Sequence, residues 1–190
     1  MFVEESAWIR DAIAGASLPA GARVLDIGSS TLAFRTVAQP YVDANVFAPL
    51  RARGLKVVHL DSRAEPGVDI VADVTKLEGV DESYDMVLCT NLLEHVTDRG
   101  ETLRNVKRVV APGGLLLLTV PRRYPIHPDP IDTGYRPTPA ELGGLLGWPE
   151  VLREEVLTIQ DREHYQGFRR AIRRVILPWQ IACVLARKPA

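Results

Sequence analysis

Short apolar runs separated by stretches of helical periodicity constrain the fold of this chain more than any other feature of its sequence. Each run holds four to six residues that are mostly Val, Leu and Ile, and turn-forming or charged residues bound it. Runs of this kind are typical of strands that are buried on both faces of a sheet. The predicted strands are residues 24–27, 56–60, 68–72, 85–90 and 115–120.

Two helices are predicted beside these strands, because apolar residues recur on one helical face of residues 98–111 and of residues 4–15. These apolar residues are Leu103, Val106, Val109 and Val110 in the later stretch and Trp8, Ile9, Ala12 and Ile13 in the earlier one. Pro112-Gly113-Gly114 is expected to stop the later helix in a turn before the fifth strand. Strands that alternate with helices indicate an α/β fold with a doubly wound, mostly parallel sheet.

The pattern changes near the end of the chain. Residues 151–159 and 179–186 are predicted as strands, and residues 166–177 between them as a helix. Only Leu177-Pro178 joins this helix to the last strand, which is too short for a further crossover. The last two strands are therefore expected to pair antiparallel at one edge of the sheet, a hairpin that could join two copies into a homodimer.

Length and composition exclude several classes of protein. The 190 residues predict a single domain over residues 1–190, in which residues 1–20 carry a helix that leads into the first strand. A net charge of −1 predicts no nucleic-acid partner, since binding to phosphates needs a basic patch. Glu4 and Glu5 do not resemble a secretory signal, no run is long enough for a membrane span, and Cys89 and Cys183 are isolated in apolar runs. A cytoplasmic protein with two buried thiols is expected.

Polar or small residues follow four predicted strands, at the sheet edge where open parallel sheets bind ligands. Asp26-Ile27-Gly28-Ser29-Ser30 follows or ends the first strand, Asp61 the second, Asp73-Val74 the third and Asn91 the fourth. An acidic residue after the second strand can accept hydrogen bonds from the ribose hydroxyls of a nucleoside. Asp73 can accept from the amine of adenine, and a glycine at position 28 lets the backbone approach a ligand closely. The pattern predicts a nucleoside cofactor.

These segments resemble the class I S-adenosylmethionine-dependent methyltransferases, especially the small members called methyltransferase type 11. The resemblance covers roughly residues 20–190. It is carried by residues 24–28, by residues 72–74 with Leu77, by residues 84–89 running into Leu93-Glu94-His95-Val96, and by residues 108–121. It implies a Rossmann-like sheet of seven strands with a reversed edge hairpin, and S-adenosylmethionine as the cofactor.

The resemblance also implies roles for individual residues. The methionine part of the cofactor is assigned to Asp26, Gly28, Ser29 and Ser30, the ribose to Asp61, the adenine to Asp73 and Val74, and the floor of the site to Asn91. The first loop departs from the family, which has two or three glycines where this chain has only Gly28. Arg35 is a candidate substitute that could reach the cofactor carboxylate. Asp43 is the alternative ribose acid, with Tyr41-Val42 as a brief strand.

Methyl transfer from a sulfonium needs positioning above all, and a base only when the acceptor must lose a proton. The candidate bases are Asn91, Glu94, His95, His127, Asp129 and Asp132. His127 is the first choice as a catalytic residue, because it lies in a proline-stiffened loop after the fifth strand, and His95 is the second. The spacing of His95, His127, Asp129 and Asp132 matches no standard ligand motif, so no metal site is predicted.

The acceptor is expected to be a small molecule, a sugar or a natural product, by analogy with related sequences that share the His-Pro loop and the Arg136-Pro137-Thr138 segment. Thr138, Pro139 and Glu141 predict a capped helix start there. Four arginines line residues 166–177, but no membrane contact is expected. Two other functions stay open: a catalytically degenerate binding module, which the glycine-poor loop favours, and a nicotinamide dehydrogenase, against which the missing G-x-G-x-x-G counts.

Overall fold

Seven strands form one sheet in the computed structural model, which describes residues 1–80, 83–127, 131–161 and 166–190. In chain order the strands are β1 (Arg23–Ile27), β2 (Lys56–Asp61), β3 (Ile70–Val71), β4 (Tyr84–Thr90), β5 (Val110–Arg123), β6 (Glu150–Thr158) and β7 (Gln180–Arg187). They lie in the order β3-β2-β1-β4-β5-β7-β6. The first five pair in parallel, and β7 runs antiparallel to both β5 and β6. The predicted doubly wound sheet with an antiparallel edge hairpin is confirmed.

Helices cover both faces of this sheet. They are α1 (Val3–Ala14), α2 (Pro40–Val42), α3 (Ala48–Ala52), α4 (Arg99–Arg108), α5 (Pro139–Leu146) and α6 (Phe168–Ile176), with π-helical turns at Phe34–Ala38 and Asp43–Phe47. The brief strand considered for Tyr41-Val42 is wrong, because both residues lie in α2. Pro40 occupies the first turn of that helix, where a fixed φ and a missing N–H favour helix over strand.

The hydrophobic core has two parts because successive strand residues point to opposite faces of the sheet. Val24 of β1 packs on one side with Trp8 and Ile9 of α1. Its neighbour Leu25 packs on the other side, in the same cluster as Val106 of α4. This two-sided burial explains why the strands read as continuous apolar runs in the sequence. Among the described residues, no helix combines the length and the apolar character needed to cross a bilayer.

The Pro112-Gly113-Gly114 segment is not a turn between a helix and a strand, as the sequence suggested. Helix α4 already ends at Arg108, and β5 begins at Val110. Val110 pairs with Tyr84 and Leu115 pairs with Met86. The register therefore advances five residues along β5 while it advances only two along β4. The segment is therefore a bulge inside a strand. Beyond the helix end, the Val109 carbonyl accepts a hydrogen bond from the Tyr84 N–H at 2.8 Å, which joins this stretch to β4.

Replacing Gly114 by alanine should lower the free energy of unfolding by about 1–3 kcal/mol, the usual cost of overpacking. The new Cβ would lie 2.8 Å from the Ala111 carbonyl oxygen and 3.0 Å from that of Asp85, and neither backbone atom can move without disturbing β4 and β5. Gly144→Ala in α5 is the matched control, since nothing lies within 4 Å of its Cβ position. Urea unfolding should show Gly144→Ala unchanged or more stable, and equal stability of Gly114→Ala and the parent would contradict the bulge packing.

Candidate active site

Two cavities adjoin at the carboxyl ends of the parallel strands. The first cavity, of about 370 Å³, extends from Asp26 to His127. The second cavity, of about 690 Å³, contains Asp61 and Asp73. Both are lined by the residues that lie between them, which are Gly28, Ser30, Phe34, Asn91 and His95. The switch in strand order between β1 and β4 opens this crevice, as in other open α/β sheets.

The loop after β1 forms the wall between the two cavities. Gly28 has a φ of 77° and Ser30 a φ of 56°, so both lie in the left-handed region that favours glycine. A Cβ on residue 28 would lie 3.2 Å from a methyl carbon of Leu92. The Ser30 N–H donates to Asp61 Oδ2 at 2.8 Å. A serine thus takes a conformation that the family's usual glycine adopts without cost, and a carboxylate from β2 holds it there.

Arg35 supports the same loop from behind. Its Nη1 donates to the carbonyls of Ser29 and Ser30, both at 2.8 Å, and its Nη2 donates to the carbonyl of Gly67 at 2.7 Å. The side chain is buried, and burial lowers the pKa of Arg35 from its usual value. Arg35 lines the first cavity, but its guanidinium is engaged by backbone oxygens. This arrangement places it under the loop as a support, a role that the sequence did not suggest.

The acidic residues after β2 and β3 lie in the second cavity, with Val74 beside them. Asp61 Oδ1 accepts from the N–H of Arg63 at 3.3 Å, so both oxygens face the loops around the cavity. Asp73 Oδ1 accepts from the N–H and hydroxyl of Thr75, and these hydrogen bonds lower the pKa of Asp73. Asp43, the alternative ribose acid, lines neither cavity and pairs with Arg51 at 2.9 Å.

Buried acidic groups surround the inner end of the first cavity. Asp26 is 4% exposed, and its Oδ2 lies 3.0 Å from Nδ1 of His59. Glu5, from α1, is fully buried and accepts hydrogen bonds from Asn91 Nδ2 at 2.7 Å and from the hydroxyl of Thr119 at 2.6 Å. Asn91 has a φ of 49° and is fixed by this contact at the cavity floor. The sequence analysis missed Glu5, which looks like an ordinary acidic residue in a first helical turn.

Glu94, His95 and His127 meet at the outer end of the first cavity. The two imidazole rings lie edge to face with centroids 5.0 Å apart. His95 Nδ1 contacts the Ile131 carbonyl oxygen, and His95 Nε2 lies 3.7 Å from Glu94 Oε1. Glu94 is 1% exposed, and its Oε2 has no hydrogen-bond partner in the part of the chain that the structure describes. Burial raises the pKa of Glu94 to about 8.

Asp132 holds the loop that carries His127. Both Asp132 oxygens accept hydrogen bonds from Arg136, which hold the pKa of Asp132 well below its usual range. Oδ2 also accepts from the His127 N–H at 3.1 Å and lies 2.9 Å from His127 Nδ1, although that nitrogen is not aligned for a hydrogen bond. The predicted capping box of Thr138 and Glu141 starts α5 just beyond this loop. Asp129, another candidate base, lies outside the described residues.

A comparison with protein families decides the class of this site. The family model described as a methyltransferase domain matches residues 25–118, about half of the chain. The chain belongs to the class I S-adenosylmethionine-dependent methyltransferase family. Membership makes S-adenosylmethionine the cofactor, as the resemblance implied.

Curated methyltransferases are similar to the same part of the chain. A demethylmenaquinone methyltransferase of Renibacterium salmoninarum is 30% identical over 112 residues, which cover 58% of this chain and 46% of the relative. A ubiquinone biosynthesis O-methyltransferase of Xanthomonas oryzae pv. oryzae is 37% identical over 118 residues, which cover 56% of this chain and 46% of the relative. The chain thus matches about half the length of each curated relative.

Solved structures share the fold over nearly all of the chain. Coclaurine N-methyltransferase bound to N-methylheliamine and S-adenosylhomocysteine superposes with a TM-score of 0.64 at 16% identity, covering 97% of this methyltransferase and 72% of that chain. The [4+2]-cyclase SpnF superposes with a TM-score of 0.61 at 20% identity, covering 97% and 82% of the two chains. A cyclase on the same fold illustrates that such likeness shows architecture and leaves the reaction to the residues of the site.

Proposed function

We propose that this protein transfers the methyl group of S-adenosylmethionine to a small-molecule acceptor, and that residues 1–190 form one methyltransferase domain. The observation that carries the proposal is that the two cavities adjoin and share Gly28, Ser30 and Asn91 in their linings. One long ligand can pass this wall with its nucleoside in the second cavity and its amino-acid end in the first. The acceptor would enter the first cavity from the side of His127.

The second cavity fits the nucleoside. We assign the ribose hydroxyls to Asp61, the last residue of β2, and the adenine amine to Asp73, with the N–H of Val74 beside it. Oδ1 of Asp73 already accepts two hydrogen bonds from Thr75, which leaves Oδ2 for a ligand. Carboxylates accept hydrogen bonds strongly, so this pair suits a ligand that presents hydroxyl and amine donors.

The first cavity fits the methionine end, which carries an ammonium and a sulfonium. We assign it to Asp26, Gly28, Ser29 and Ser30, with Asn91 as the floor. Asp26 is buried, and a buried carboxylate favours a cation beside it. Gly28 leaves open the space that a Cβ would fill against Leu92. When bound, the cofactor supplies a methyl group on a sulfonium, and these residues bind and orient it.

His127 and His95 are the candidate catalytic residues at the acceptor end of the first cavity. A ring nitrogen of either histidine that carries no proton can accept the proton of an acceptor hydroxyl. Asp132 accepts a hydrogen bond from the backbone N–H of His127 and is itself fixed by Arg136, so the backbone that carries the ring is held in place. Within small molecules, we propose a hydroxyl acceptor of the quinone-precursor, sugar or natural-product type, since relatives are named for quinone biosynthesis.

A degenerate S-adenosylmethionine-binding module is the second candidate function. The single glycine of the first loop favours it, because the loop depends on Asp61 and Arg35 to hold a conformation that glycine adopts unaided. Calorimetric titration with S-adenosylmethionine and S-adenosylhomocysteine, followed by an acceptor screen, separates the two. Micromolar binding of both supports the site, and binding with no transfer to any acceptor favours the module. No binding of either contradicts both candidates.

Asp61→Ala should weaken S-adenosylmethionine binding by about 10- to 100-fold, because charged hydrogen bonds are each worth about 1.5–3 kcal/mol. The variant removes the proposed ribose acceptor and also the partner of the Ser30 N–H. Asp43→Ala is the matched control, since Asp43 only pairs with the exposed Arg51. Calorimetry should show parental affinity in Asp43→Ala. A weaker Asp43→Ala beside an unchanged Asp61→Ala would reverse the ribose assignment.

A further inference from the structure

The outer end of the first cavity gathers two imidazoles and one carboxylate. One ligand atom from each of Glu94, His95 and His127 lies within 4.8 Å of the other two. Two histidines and one carboxylate are the ligands of catalytic zinc sites and of non-haem iron(II) sites. We propose that Glu94, His95 and His127 form a binding site for a divalent transition-metal ion, with zinc as its first occupant.

The three candidate ligand atoms could bind one ion if the side chains moved slightly closer together. Zinc binds nitrogen and oxygen at about 2.1 Å, which sets tetrahedral ligands about 3.4 Å apart, so the atoms must approach by roughly an ångström. His95 Nε2 and Glu94 Oε1 already lie 3.7 Å apart. His95 and His127 are partly exposed and can rotate towards the buried carboxylate.

The His95 ring is oriented as ligand rings usually are. A metal-bound imidazole generally donates its other N–H to a carbonyl or carboxylate, which fixes the tautomer. His95 Nδ1 contacts the Ile131 carbonyl, which requires the proton on Nδ1 and leaves the Nε2 lone pair for an ion. Asp132 lies 2.9 Å from His127 Nδ1 and is itself locked by Arg136. The His95 ring is therefore held by an outer oxygen, whereas His127 Nδ1 has the Asp132 carboxylate within reach but must rotate to align with it.

Glu94 supplies the carboxyl group, which would release its proton when an ion binds. Its side chain is 1% exposed and its Oε2 has no hydrogen-bond partner among the described residues, so within this part of the chain one oxygen of the buried carboxyl is unsatisfied. Its backbone is fixed, because the Glu94 carbonyl accepts from the N–H and the hydroxyl of Thr133. A buried polar group without a partner is costly, and a cation offsets that cost.

The ion would have an open side towards the cavity. Three protein ligands leave at least one coordination position free in a tetrahedral site, and an acceptor oxygen can take it. This use of the ion rests on the proposed function, whereas metal binding itself does not. The proposal departs from the sequence-based expectation of no metal, which considered Asp129 and Asp132 and left Glu94 out.

The test is a titration of the purified full chain with Co²⁺, without S-adenosylmethionine, followed by the visible absorption of the bound ion. One equivalent should bind and produce the intense bands of a low-symmetry site. Glu94→Gln and His127→Gln should each weaken Co²⁺ binding by at least about tenfold. Replacing a residue that only hydrogen-bonds to a metal ligand already lowers metal affinity by about tenfold or more, and replacing a ligand should lower it no less. Glu78→Gln, which changes an exposed carboxyl, serves as the control and should bind as the parent does.

A thermal unfolding series with Zn²⁺ covers the case in which Glu94→Gln does not fold. Zinc should raise the melting temperature of the parent and not that of His95→Gln, whose partly exposed side chain makes it a mild substitution. Absence of Co²⁺ binding, or equal binding by the parent and all site variants, would overturn the proposal. A parallel titration with S-adenosylmethionine, without metal, separates the two proposals. If the protein binds S-adenosylmethionine but not Co²⁺, only the metal site is contradicted. If it binds Co²⁺ but not S-adenosylmethionine, the proposed function is contradicted.

Discussion

His127→Ala should slow methyl transfer by about 10²- to 10⁴-fold, the usual contribution of a positioned proton acceptor, and leave the affinity for S-adenosylmethionine unchanged. The ring lies at the acceptor end of the first cavity, beyond the loop of Gly28 to Ser30 and outside the lining of the second cavity. The expectation holds whether His127 accepts the proton of the acceptor or holds an ion beside it, since both roles act on the acceptor.

The measurement is the rate of S-adenosylhomocysteine formation with a panel of phenolic and sugar acceptors, beside a calorimetric titration of the cofactor. Ile126→Ala is the control for disturbance of the loop, because Ile126 is the preceding residue and is 72% exposed. It should keep the parental rate. A fall in cofactor affinity that parallels the fall in rate, or full turnover by His127→Ala, would remove His127 from the acceptor site.

Arg35→Met should lower the free energy of unfolding by about 3–5 kcal/mol, because three carbonyls lose a charged donor and an unsatisfied buried acceptor costs about 1–3 kcal/mol. Two of these carbonyls belong to Ser29 and Ser30, so the loop that divides the cavities loses its support. Binding of S-adenosylmethionine should fall with it. Arg35→Lys should recover little, since an ammonium cannot reproduce the planar fork that spans Ser29, Ser30 and Gly67.

Arg51→Met is the matched control, because Arg51 is an exposed arginine whose pairing with Asp43 is worth about 0–1 kcal/mol. Urea unfolding monitored by circular dichroism gives the stabilities, and calorimetry gives the cofactor affinities. Equal stability of Arg35→Met and Arg51→Met would mean that the loop holds its conformation without Arg35. The serine at position 30 would then need another explanation.

The strands were predictable where burial on both faces imposes a continuous apolar run. Residues 56–60 and 85–90 were expected, and β2 and β4 differ from these bounds by one residue each. The prediction failed where a neighbour is missing: residues 68–72 were expected to be a strand, but only Ile70–Val71 pairs, at the open edge of the sheet. An apolar run indicates that a segment is suited to burial, but it does not indicate how many neighbouring strands will pair with that segment.

The part of the site that could be predicted from the sequence consists of residues that the sheet topology alone brings together. Parallel strands end at one edge, so Asp61, Asp73 and Asn91 could be expected around one crevice, and they line it. Glu5 could not be expected there, because it reaches Asn91 from 86 residues away along the chain. The meeting of Glu94 with His127 is equally non-local, since it depends on where the loop after β5 folds back. No local pattern encodes contacts of this kind.

The start of helix α1 bears on how the protein should be prepared for any of these measurements. Met1 and Phe2 line the first cavity, and the Phe2 N–H donates to the buried Glu5. Residues added ahead of Met1, such as an affinity tag, would start beside the first cavity and could compete with ligands for it. Ala190 is exposed at the other terminus. A tag placed after Ala190, or one removed completely from the front, keeps binding constants free of this interference.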